Sequence, residues 1–158
     1  MAAMTTTLRR WRSDRGAELI ELAMVTPILL LVCAAIFDFG FLFRNWEIVT
    51  NAAREGARVG VLPTYSCDPA APADIQSRVD AYMQGAGITD PSTYDVEVNT
   101  IPVPTGAGTF TACAVRIEMT QALPSLSVFS QFFGPSFGTV PIAGEAVMRA
   151  ESQAAPAP

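Results

Sequence analysis

The sequence predicts an α+β fold: one long N-terminal helix, its first half membrane-spanning, packed by its second half on a small three-stranded antiparallel sheet. Three observations carry this. An almost unbroken apolar run occupies Leu19–Phe43. A helical pattern of small and polar residues continues from it to Gly60. Beyond that, three stretches alternate apolar and polar residues with period two, the signature of half-buried strands.

The apolar run comes first. Leu22–Phe37 holds no charge, and Leu19–Phe43 holds only Glu21 and Asp38. As a helix, the longer stretch spans roughly 37 Å, enough to cross a hydrocarbon core of about 30 Å. A removed secretory signal, a buried core helix and a retained anchor compete for it. A signal's apolar region is about 7–15 residues long and ends at small residues. This run is longer and ends in Phe39-Gly40-Phe41-Leu42-Phe43-Arg44. The remaining chain is too small to bury such a helix, so the retained anchor is preferred. Arg9, Arg10, Arg12 and Arg15 precede the run. Basic residues stay inside, which predicts a single-pass cell-membrane protein with its N-terminus cytoplasmic and its C-terminal domain outside. Pro27 removes one backbone hydrogen bond, which spanning helices tolerate.

The helix is expected to cover residues 17–62, with Leu19–Phe43 in the membrane and Pro63 as its stop. Past Phe43, Val49, Ala53, Gly56 and Gly60 form a narrow stripe of small residues at helical spacing. Glu47, Asn51, Arg54 and Arg58 form a polar stripe beside it. A small-residue face lets another element approach the helix backbone closely. Either the protein's own sheet packs there or the helix of a second subunit does. Trp46 is expected at the membrane interface, and Asp38 is expected to meet Arg44 or interfacial water.

Residues 63–152 make the exported domain. A turn-rich linker over Tyr65–Ala73 holds Cys67. Asp74–Ala86 reads as an amphipathic helix, with Ile75, Val79, Tyr82, Met83 and Ala86 on one face and an Asp74–Arg78 pair on the other. Asp90-Pro91 makes a turn. Tyr94–Asn99 is the first strand and Phe110–Thr120 the second, a hairpin joined by a Pro102–Gly108 loop. In the second strand Cys113, Val115, Ile117 and Met119 face inward, Arg116 and Glu118 outward. The third strand, Thr139–Glu151, turns Ile142, Ala146 and Met148 to one face and Glu145, Arg149 and Glu151 to the other. Between the last two strands, Leu123–Phe137 is the most hydrophobic exported segment, with Leu126, Phe129, Phe132, Phe133 and Phe137; Pro124 is a plausible helix start. Such a cluster is expected in the core, the alternative being an exposed docking patch. An Ala/Pro tail, residues 153–158, is expected to be disordered.

Cys67 and Cys113 both fall on the exported side, so an oxidising exterior favours a bridge between them over two free buried thiols. Cys33 lies within the apolar run. The formal charge is −5; removal of residues 1–16 takes away four arginines and Asp14, leaving −8. An acidic exterior with no basic cluster beyond the leader argues against a nucleic-acid partner. The chain has no histidine. That removes the usual general base, the common nucleophile pairs and the commonest zinc ligand. The expectation is a non-enzyme without a cofactor.

Glu21 demands its own account. An ionisable group near the end of a spanning helix costs on the order of 2–3 kcal/mol. Either it reaches water at the headgroup boundary or it meets a cation. Gly16 followed by Glu21, after a basic leader and before an apolar helix, is similar to the arrangement of prepilins. That resemblance implies cleavage after Gly16 by a prepilin peptidase. Ala17 would become the new amino terminus, and Glu21 would pair with the amine of a neighbouring subunit. Leu22 follows Glu21 where related pilins commonly carry an aromatic.

The segment Arg15-Gly16-Ala17-Glu18-Leu19-Ile20-Glu21-Leu22-Ala23-Met24-Val25-Thr26-Pro27, then Phe37-Asp38-Phe39-Gly40, then Asn51-Ala52-Ala53-Arg54-Glu55-Gly56-Ala57-Arg58 resembles the TadE-like family, minor pseudopilins of the tight-adherence pilus system. The resemblance implies peptidase processing, other pilins or pseudopilins as partners, and a role in pilus assembly. The alternative is a signal-anchored exported binding or adhesion module that never enters a filament.

Overall fold

The computed structural model describes residues 14–62, 67–69, 72–106, 108–128 and 130–149. The leader arginines Arg9, Arg10 and Arg12, the stop at Pro63, Phe129, Glu151, the Ala/Pro tail and residues 65, 66, 70 and 71 of the Tyr65–Ala73 linker lie outside the described residues. The chain falls into two compact units, divided after Phe39.

Helix α1 runs from Asp14 to Gly60 and carries Pro27 inside it. The Thr26 hydroxyl donates to the Leu22 carbonyl at 2.7 Å, one turn before the proline. In the first unit the described side chains of α1 stand exposed all round from Leu19 to Phe37, apart from the partly covered Thr26 and Ala34; Asp38 is buried. This helix is long and apolar enough to cross a membrane.

The second unit is built on the Gly40–Gly60 part of α1. Val49, Ala52, Ala53 and Ala57 of that segment are fully buried. Helix α2, Ala73–Gly85, buries Ile75, Val79 and Met83 at i, i+4 and i+8. Its end is closed by Gly87, at φ 94°, and by the Ile88 amide donating to the Met83 carbonyl at 2.9 Å. A positive φ after the last turn is the geometry glycine supplies without a Cβ clash. A 3₁₀ turn, Pro91–Thr93, follows, and the Asp90 carboxylate accepts from the Ser92 amide and hydroxyl at 2.9 and 2.7 Å. Those two bonds hold the Asp90 carboxyl below its ordinary range.

The sheet has the order β1-β2-β3, antiparallel throughout: β1 is Tyr94–Thr105, β2 Gly108–Ala122 and β3 Thr139–Arg149. Cys113, Val115, Ile117 and Met119 face the core, with Arg116 and Glu118 outside, as their alternation predicts. Ile142 and Ala146 of β3 are likewise buried, Met148 partly so.

Four expectations change. The loop expected over Pro102–Gly108 is instead mostly strand, since β1 continues to Thr105, paired with Gly108. Pro102 and Pro104 lack an amide to donate, and strand interiors accept proline only at an edge; β1 is an edge strand. Tyr82, expected inward, lies at the surface and is 37% exposed. Arg78 ion-pairs not with Asp74 but with Glu55 of α1. Finally, the described residues of the Leu123–Phe137 segment are not core. It forms two single turns, α3 (Pro124–Ser127) and α4 (Ser130–Phe133), with no buried residue in either. The interior beneath the sheet is already filled by α1 and α2, so these side chains are left outside.

Candidate functional site

The small-residue stripe is where the second unit is assembled. A β-carbon built on Gly56 would stand 2.9 Å from Val79 Cγ2 and 3.3 Å from both Ile75 Cγ2 and Val115 Cγ1. On Gly60 it would meet Cys113 Sγ at 2.6 Å and Ile75 Cδ1 at 3.0 Å. From the sheet side, one on Gly144 would fall 2.7 Å from the Thr50 Cα and 2.8 Å from the Val49 carbonyl carbon. Ala53 lies between these points, fully buried. The stripe is thus occupied by the protein's own sheet and α2, the first of the two alternatives weighed above.

β2 runs antiparallel to α1 along this face. Cys113 lies at Gly60, Val115 at Gly56, and Gln121 at Asn45, whose Nδ2 donates to Gln121 Oε1 at 2.6 Å. Asn45 is buried, so the bond with Gln121 satisfies a polar group that burial would otherwise penalise. The polar edge of the stripe has its own bonds. Glu55 accepts from Arg78 Nε at 3.0 Å and lies 3.8 Å from Arg58, while Arg54 donates to Asn51 Oδ1 at 3.4 Å. Arg44 donates to the Ala86 carbonyl at 3.2 Å and to Asn45 Oδ1 at 3.4 Å. The segment Asn51–Arg58 therefore supplies a flat side for packing and a charged side that ties α2 to α1.

Cys67 and Cys113 are joined by a disulfide, with a Cα–Cα distance of 5.6 Å. Closing a loop of 46 residues stabilises the fold by about 4 kcal/mol on the chain-entropy model. Cys33 is a free, exposed thiol.

A contact that the periodicity did not single out joins α2 to β1. The Tyr94 hydroxyl donates to Asp80 Oδ1 at 2.6 Å. Burial and the Asp80 carboxylate push the phenol well above its ordinary range. The only trace of it in the sequence is a tyrosine opening a strand and an aspartate on the flank of a helix.

Gly16, Ala17 and Glu21 all lie on the first turns of α1 and are exposed. A β-carbon on Gly16 would meet nothing within 4 Å, so packing does not require glycine there.

Together the features define a class: an α+β protein with one long helix that is bare and apolar at first and then packed on an antiparallel sheet. Residues 16–58 match the family model described as TadE-like protein, so the helix segment is TadE-like, as its motifs imply. That match suggests a pilin-like protein associated with the tight-adherence pilus and with a membrane. No curated protein and no solved structure matches the chain.

Proposed function

We propose that this chain is a minor pilin-like subunit, a pseudopilin, that supports assembly of a tight-adherence pilus after cleavage by a prepilin peptidase between Gly16 and Ala17. The observation that carries the reading is the start of the TadE-like match, at Gly16, the residue on which the processing pattern turns. An exposed Glu21 on an otherwise apolar stretch of helix supports it, because such a carboxylate needs a cation when the helix is drawn among others. The freed amine of a neighbour's Ala17 supplies that cation. Residues 1–15 stay in the cytoplasm and the sheet-bearing unit is outside, where the Cys67–Cys113 bridge is stable. The role is mechanical, not catalytic: the bare helix bundles with sister pilins or pseudopilins while the folded unit gives specificity.

The test is amino-terminal sequencing of the protein from native membranes. A start at Ala17 is expected; a start at Met1 or Ala2 overturns the processing step and favours an uncut anchor. Glu21→Gln is expected to abolish fibre production while leaving the protein in the membrane. Unchanged fibres would remove the pairing role of Glu21.

A further inference from the structure

The segment between β2 and β3 is the largest feature that neither the fold nor the proposed function uses. Its ends are closed by the Leu123 amide donating to the Gly138 carbonyl at 2.7 Å. Gly138, at φ 77°, brings its backbone against Leu126, where a β-carbon would stand 2.9 Å from the Leu126 carbonyl carbon. The loop is thus a braced, compact unit of the Ω type. Several of its described apolar side chains nevertheless turn outward. Phe132 is 81% exposed, Phe133 69% and Val128 68%, with the Phe133 and Phe137 rings 4.7 Å apart.

We propose that this loop inserts its exposed Val128, Phe132 and Phe133 side chains into the surface of the lipid bilayer that α1 crosses, as a second, interfacial anchor. The inference rests on the reading of Leu19–Phe43 as a membrane span. Two observations select lipid as the occupant. The first is position. The loop leaves β2 just after Gln121, which is bonded to Asn45, and Asn45 is two residues past Phe43, where the apolar run ends. Phe43 and Trp46 stand exposed on that same turn with ring centroids 5.7 Å apart, so a second aromatic group lies at the level where the helix leaves hydrocarbon. The second is charge. Between Glu118 and Glu145 the chain has no charged residue, only apolar side chains, serine, threonine, glutamine, glycine and proline. Protein docking sites rim their apolar centre with charge and polarity, whereas a segment that enters the acyl boundary must leave charges out.

The test uses the full chain in phosphatidylcholine–phosphatidylglycerol vesicles, in a Cys33→Ser background. An environment-sensitive fluorophore is attached at Phe132→Cys, at Val128→Cys, at Leu29→Cys in the span, or at Gln76→Cys on α2. Phe132 and Val128 are surface positions, so labelling leaves the core intact. At both, emission is expected to be lost to lipids spin-labelled just below the headgroup and protected from aqueous iodide, while the Gln76→Cys label is quenched by iodide. If iodide quenches both loop labels while deep spin-labelled lipids quench Leu29→Cys, the interfacial anchor is wrong and the span stands. Loop labels shielded from iodide and lipid alike would also overturn it, since protein then covers the loop. A Leu29→Cys label untouched by any lipid overturns the span, and this inference with it.

Discussion

Gly60 of α1 rests against the sulfur of Cys113: a β-carbon there would stand 2.6 Å from Sγ, with Cys67 Cβ at 3.6 Å. The end of the long helix and the disulfide therefore share one space. Gly60→Ala places a methyl against a sulfur that its bridge prevents from moving aside. Overpacking of this kind costs about 1–3 kcal/mol, more than alanine's helix preference of about 1 kcal/mol returns at a terminal position. A lower denaturation midpoint is expected in urea titration. Unchanged stability would mean that the bridge is not held against the helix.

Gly144→Ala is expected to be worse, at or above the upper end of the same range of about 1–3 kcal/mol. The atoms its β-carbon would meet are backbone of α1, Thr50 N and Cα at 2.7 Å. Backbone inside a packed helix does not rotate away, so β3 would have to lift off. Near-ultraviolet circular dichroism around the melting transition checks this.

Removing the bridge with a Cys67→Ser, Cys113→Ala double substitution is expected to cost about 4 kcal/mol. Non-reducing mass spectrometry of the native protein should find the two cysteines linked and Cys33 free. Two free thiols at Cys67 and Cys113 would refute the pairing.

Burial of the Tyr94 phenol, together with its hydrogen bond to Asp80, makes stability sensitive to alkali. The folded phenol has a raised pKa, so between the unfolded value of about 10 and the higher folded one the native state keeps a proton that the unfolded state has lost. Stability is whole below about pH 10 and falls as pH rises beyond it. Tyr94→Phe should be less stable than the parent at neutral pH and should lack this part of the alkaline loss. Parallel slopes of stability against pH for the two proteins would show that the bond contributes nothing.

Local periodicity went far for this protein. The long apolar helix, the inward set Cys113, Val115, Ile117 and Met119, and the pairing of the first two strands all depend on neighbours close in sequence, and all were legible. Tyr82 was misplaced because it falls at the border of the helical face. The polar side of α2 was misread because Arg78 had a near partner, Asp74, in sequence and a different one, Glu55, in space. The prolines in β1 looked like a loop because their position at the sheet edge is not written in the local pattern.

A greasy rod, an acid near its start, two cysteines beyond the apolar run and the alternation of three strands are properties of the chain read residue by residue. They follow from side-chain chemistry and the helical and extended repeats. Which surface would fill the notch at Ala53, Gly56 and Gly60, and whether Phe132, Phe133 and Phe137 would be inside or outside, were settled only by assembly. Core volume is finite: α2 and β2 took the space along α1, and the later aromatic segment was left at the surface.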